Sequence, residues 1–212
     1  MSDANSNPPR LRVDAERNRL ALIDAATSVF GRRGMDAPLD EVAREAGVGI
    51  ATLYRRFPER TQLVEAVFEQ RMRLYADRAL AAAARALTEP WEAFRDYVTF
   101  IFEQQATDTA FADVLIAPLT GSPVFADKHR AALKATIALV ARAHEAGAIR
   151  ADFSHADLYL VTLANAGLVK AARSSGPEAS RRLCAYLLES FRPGPGDPLP
   201  PVPRVWERTA RT

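Results

Sequence analysis

Arg55 and Thr52 carry the side chains in this chain best suited to reading the edges of DNA bases. A guanidinium offers two parallel donors that match the O6 and N7 acceptors of guanine. A threonine can hydrogen-bond a base edge or set its methyl group on that of thymine. Both residues lie in the segment Ile50–Phe57, IATLYRRF. There Ile50, Leu53, Tyr54 and Phe57 recur at helical spacing, so a helix buries Leu53 and Phe57 and turns Ala51, Thr52, Arg55 and Arg56 outward. Ala51 has almost no side chain and lets such a helix approach closely. Arg56 is placed for a phosphate, which fixes register and adds salt-dependent affinity.

A second short helix must hold this one in place. Leu39, Val42, Ala43 and Ala46 fall at i, i+3, i+4 and i+7, one face of a helix. Gly47-Val48-Gly49 separates the two, and Gly47 can take the left-handed conformation that ends a helix. Two helices this short bury enough only by crossing each other and a third element. A helix-turn-helix over 38–57 satisfies that need, and double-stranded DNA is the partner its free face fits.

The remaining pattern is helical throughout. A helix is expected from about Ala15 to Arg33 with Ile23, Ala26 and Phe30 inward, and Gly34 as its stop. A long helix follows from Pro58-Glu59 to about Leu87, its alanine-rich second half showing only a weak stripe. Trp91–Gln105, a shorter segment Phe111–Ile116, Pro123–Ala146, a helix N-capped by Ser154 and one from Gly176-Pro177 to Phe191 complete the set. No period-two alternation marks a strand. The expected fold is all-α. A mobile arm spans 1–13, a three-helix DNA-binding domain 14–60, a larger helical domain for ligand binding and dimerisation 61–192, and a proline-rich disordered tail 193–212.

Bulk properties narrow the partners. Of the 212 residues, 48% are hydrophobic and 25% charged, as in ordinary globular proteins. A formal net charge of +2 is nearly neutral, so a DNA surface must be a local basic patch. There is no apolar run of membrane-spanning length and no signal-peptide core, so no membrane partner is expected. The single cysteine, Cys184, fits a reducing compartment, and the cytoplasm is the expected location.

The helix RNRLALIDAATSVFGRRG, followed by PLDEVAREAGVGIATLYRRF and PERTQLVEAVFEQ, resembles the N-terminal domain of the TetR family of bacterial transcriptional regulators. The likeness covers about the first third of the chain. It implies a homodimer that binds a palindromic operator and releases it when a small hydrophobic effector enters the C-terminal domain. By the same likeness Ile50, Ala51, Thr52, Arg55 and Arg56 lie on or beside the groove-facing side, and Tyr54 touches a phosphate. Arg60 stands where relatives usually carry a phosphate-binding lysine. Gly49 replaces a common serine N-cap at a cost of only a few tenths of a kcal/mol. Pro38 replaces a threonine, which removes one phosphate contact.

For the larger domain the residues are less decisive. Tyr97, Phe100, Ile101 and Gln104 share a stripe, and Phe111, Leu115, Phe125, His129, Leu133 and the buried amide of Asn165 can converge with it. They line a mostly apolar effector pocket or form core. Ala164, Gly167 and Ala171 make a small-residue stripe, and Leu183, Leu187 and Phe191 lie on a helix apolar nearly all round. These suit a dimer interface, or the domain's own interior. His129, His144 and His155 lack metal-ligand spacing, and no metal or cofactor is expected. A family member that activates or answers to a protein partner is the alternative. A helical enzyme is the remaining reading. Against it stand the lack of a phosphate-binding glycine loop, of a nucleophile with a nearby base and of paired metal ligands.

Overall fold

A computed structural model describes residues 8–108, 110, 123–195 and 197–201, with side chains outside the description at 8–12 and 123–125. Every regular element among them is helical: α1 (Pro8–Arg33), α2 (Leu39–Glu45), α3 (Ile50–Arg56), α4 (Arg60–Arg85), α5 (Pro90–Thr107), α6 (Pro123–Glu145), α7 (His155–Ala172) and α8 (Gly176–Phe191), with a short 3-10 turn at Arg173–Ser175. No described helix is long and apolar enough to cross a membrane. The segment Phe111–Ile116 lies outside the described residues.

The chain divides into two compact units, the first ending at Glu69 and the second beginning at Gln70. The division falls inside α4, beyond the boundary at Arg60 suggested by the sequence, because Leu63, Val64, Val67 and Phe68 at the start of α4 are buried in the first unit.

In the first unit, Leu22, Ala26, Val29 and Phe30 of α1 are buried with Val42, Leu53 and Leu63. Ala26 and Phe30 of α1 point inward as expected, while Leu22 is fully buried and Ile23 only half. The helix also starts earlier, at Pro8. Two prolines there look like breakers, but the first turn of a helix has no N–H partners to lose. Gly34, at φ +82°, ends it as its sequence position suggests.

The second unit is built around α5, which packs on α6, α7 and α8. Phe94 of α5 meets Phe153 edge-on at 5.5 Å between ring centroids and Phe191 at 6.0 Å, and Phe153 lies 4.7 Å from Phe191. The alanine-rich half of α4 contributes Ala76, Ala79 and Ala83 to the same core, and Ala86 follows just beyond its end. The inward stripe of α4 is made of methyl groups, while its Leu74 and Leu80 point to solvent. Hydropathy alone therefore hides it. At the start of α7 the Ser154 N–H and hydroxyl both donate to the Asp157 carboxylate, at 2.6 and 2.7 Å.

The chain after α8 does not leave the bundle at once. The Arg192 guanidinium covers the Trp91 ring, 4.1 Å from its centroid. Arg150 grips Asp152 through two bonds of 2.5 and 2.9 Å and donates to the Asp197 carbonyl at 3.1 Å. Asp152 in turn accepts the Leu199 N–H at 2.8 Å. The Arg150 bond, helped by that N–H, holds the Asp152 carboxyl down at about 2. What the carboxylate adds to stability is thus present above its ordinary value of 3.8 and is lost only as pH falls through about 2.

Candidate nucleic-acid interface and effector region

The turn between α2 and α3 is built by backbone geometry. Gly47 sits at φ +68°, a region that costs most residues strain. Its N–H donates to the Arg44 carbonyl at 3.2 Å and the Val48 N–H to Ala43 at 3.0 Å, the paired bonds of a Schellman ending. Gly49, extended at φ −70° and ψ 147°, then caps α3 without a side chain, its carbonyl accepting the Thr52 N–H at 2.9 Å.

This start fixes the orientation of α3. Leu53 is fully buried and Phe57 nearly so, which anchors one face. Ile50, Ala51, Tyr54, Arg55 and Arg56 are exposed on the other, with Thr52 half-buried at its edge. Charge separates the arginines of the unit into two sets. Arg32 is tied to Glu45 at 2.5 Å, and Arg33 is bonded to Glu41. Two of the three acids of α2, Glu41 and Glu45, are thereby consumed by α1. Arg55 and Arg56 have no acidic partner among the described residues, so their donors remain open.

Arg60 is placed differently from the other candidate contacts. Its guanidinium donates to the carbonyls of Met35 and, at 2.7 Å, Ala37, and lies over the Phe30 ring at 5.5 Å. It closes the α1–α2 loop onto the start of α4. Arg60→Ala is expected to cost the first unit about 1–3 kcal/mol, the value of charged hydrogen bonds left unmade. Thermal unfolding followed by circular dichroism checks this. An unchanged midpoint, with a salt slope of DNA binding lower by about 1, would make Arg60 a phosphate contact only.

Of the residues suggested for an effector site, the second unit brings some together and disperses others. Tyr97 is buried, 6.1 Å from the Tyr75 ring. Its hydroxyl lies 3.1 Å from that of Thr136. The single Thr136 proton goes to the Ala132 carbonyl at 2.8 Å, so Tyr97 donates. Burial pushes the Tyr97 phenol well above its ordinary value. Ile101 is core. Phe100, Gln104, His129 and Leu133 are half-buried, and burial lowers the His129 pKa. Phe111, Leu115 and the Phe125 side chain lie outside the described residues.

Asn165 is fully buried and donates to Gln105 Oε1 at 2.8 Å, while Gln105 donates to the Thr162 carbonyl at 3.0 Å. Gln105 was not singled out from the sequence, although it lies four residues beyond Ile101 on the same inward stripe. Extending that period by one step finds it.

Among the described residues, concavities border α5 on the sides of α4 and α8. A trough of about 140 Å³ runs between α4 and α5, walled by Tyr97 and Phe100. A larger groove of about 260 Å³ lies between α5 and α8, lined chiefly by Phe102, Ala106, Cys184, Ala185 and Leu188.

The residues suggested for dimerisation also divide. Ala164, Gly167 and Ala171 are exposed on one stripe of α7, beside exposed Leu160 and Leu163. Leu183 and Leu187 are half-buried against the core. Phe191 is buried with Phe94 and Phe153 of its own unit.

Similar proteins extend over both units. The description of bacterial regulatory proteins of the tetR family matches residues 22–67, and that of the SbtR-like transcriptional regulator C-terminal domain matches 89–193. Over 60 residues the chain is 41% identical to the HTH-type transcriptional regulator SrpR of Pseudomonas putida, a stretch amounting to 28% of either protein. A TetR transcription regulatory protein from Mycobacterium vanbaalenii is 31% identical, with 86% of this chain aligned to 99% of that one at a TM-score of 0.48. SmeT, the repressor of the Stenotrophomonas maltophilia multidrug efflux pump SmeDEF, has the same fold at a TM-score of 0.58 and 18% identity, over 88% of this chain and 100% of that one.

Proposed function

Since the chain belongs to the TetR family of bacterial transcriptional regulators, we propose that it is a homodimeric repressor that holds a palindromic operator and releases it when a small, mainly apolar molecule binds the second unit. The family makes it a DNA-binding regulator and not an enzyme. The observation that carries the proposal is the outer face of α3. It holds two guanidiniums free of acids, next to the small Ala51 and the hydroxyls of Thr52 and Tyr54. In a chain of net charge +2 this local surplus is what attracts a phosphate backbone.

One such helix reads only a few base pairs. Two related by a twofold axis read half-sites about 34–36 Å apart or a multiple of it, which is the reason to expect a dimer. Gly167 offers a clean test. A Cβ built there meets nothing within 4 Å of its own subunit, so a larger residue is tolerated by the monomer. Gly167→Arg is expected to convert dimer to monomer in analytical ultracentrifugation, with the thermal midpoint of the monomer fold retained. A dimer that survives the substitution would move the interface off this stripe.

The function as a whole is tested by footprinting the DNA that flanks the protein's own gene, with and without candidate metabolites. A protected palindrome that is lost on adding one metabolite is the expected result. No protected site at low salt would reject the proposal.

A further inference from the structure

The trough between α4 and α5 has a lining of unusual chemistry. Its lining combines the methyl groups of Ala81, Ala82 and Ala93 with the rings of Tyr97 and Phe100. A guanidinium borders it at either end, and the two differ in what they already hold. Arg85 is bound to Glu89 at 2.6 Å and to Asp96 at 2.7 Å, and Asp96 is bound again by Arg95. Arg78 has no carboxylate partner among the described residues; its guanidinium carbon lies 5.4 Å from the centre of the Phe100 ring.

We infer that this trough binds a small planar carboxylate, with Arg78 as its counter-ion and the Tyr97–Phe100 wall as its apolar face. The guanidinium resting on Phe100 keeps its N–H edge free, and that edge matches a carboxylate through two parallel bonds. At the opposite end Arg85 is already matched by Glu89 and Asp96, so the occupant enters with its carboxylate toward Arg78 and its ring over the alanines. The volume of about 140 Å³ is well under that of drug-sized sites and admits a ring with one substituent. An aliphatic acid as short as acetate leaves the aromatic wall bare. A neutral aromatic leaves Arg78 unpaired. In the larger groove between α5 and α8 the described cation, Arg181, is already paired with Glu178 at 3.6 Å.

Binding here stands on the trough alone; that occupancy is felt at the DNA rests on the effector reading above. The test is calorimetric titration of the full chain with potassium benzoate, with benzamide and acetate as comparators. Arg78→Gln and Ala81→Leu serve as variants, since both positions are exposed and can change without disturbing the core. Benzoate is expected to bind saturably, one per chain, and more weakly as salt rises. Benzamide, acetate and either variant with benzoate are each expected to be weaker by about tenfold or more, as for loss of a charge-assisted pair or of the space for the ring. Benzoate no tighter than acetate, or binding unchanged in both variants, would overturn the inference.

Release of operator DNA is then measured separately in a mobility-shift assay. Binding with release joins the trough to the switch. Binding without release sustains the site and rejects it as the switch. Release by another compound in a protein that fails to bind benzoate overturns the site and leaves the effector reading standing.

Discussion

Arg55→Ala is expected to weaken operator binding by about 1–3 kcal/mol at each half-site, so by about 2–6 kcal/mol for a symmetric dimer. Binding to random DNA should fall far less. The difference follows from geometry. Leu53 and Phe57 are locked into the core, so the rotation of α3 about its axis is fixed and Arg55 must point away from it. A guanidinium facing a base pair discriminates, because the wrong base leaves its donors unpaired. One facing a phosphate does not. Arg56→Ala is the control, and it should lower affinity for all sequences alike and reduce the salt slope by about 1 per contact. Anisotropy titrations of both variants against operator and scrambled duplexes, over a salt series, separate the two behaviours. Equal losses on both duplexes for Arg55→Ala would remove it from base reading.

The second large effect lies in the other unit. Phe94→Ala should cost about 3–5 kcal/mol, the range for deleting a buried aromatic side chain. Phe94 is fully buried and is the ring on which both Phe153 and Phe191 lean. Its removal opens a cavity beneath the last residue of α8, and the two remaining rings cannot close it without moving the backbone. Urea denaturation should show a lower midpoint. If the loss is below about 1 kcal/mol, the site collapses around the cavity and the triad is not the keystone proposed. Phe100→Ala gives the comparison, for that ring is half-buried and should cost less.

These two variants also mark what the sequence discloses. Leu53, Phe57 and Gly47 are legible because their roles are local. A helical repeat assigns the first two, and a left-handed residue between two short helices demands the third. Arg60 is not legible in this way. A long cation at the start of a helix can reach a phosphate or fold back, and only the position of the Met35 and Ala37 carbonyls shows that it folds back. Pairings distant in the chain are equally silent. Gln105 finds Asn165, 60 residues on, and the small alanine stripe of α4 has a mate only once α5 is in place. Phe191 reads as surface-capable because its helix is apolar all round. Its burial depends on Phe94 and Phe153, which no period on α8 reveals.

The clasp at the end of α8 has a kinetic meaning. Arg150 and Asp152 hold Asp197 and Leu199, each across 47 residues of chain, and the loop so closed contains all of α7 and α8. The end of a helix ordinarily frays, losing amide protection turn by turn. Here the chain that follows α8 is moored to the loop that precedes α7, and Arg192 is laid across Trp91. Amides late in α8 should therefore exchange with solvent together with those of α7, in one opening, and trimming the chain back to Phe191 should split that opening into two.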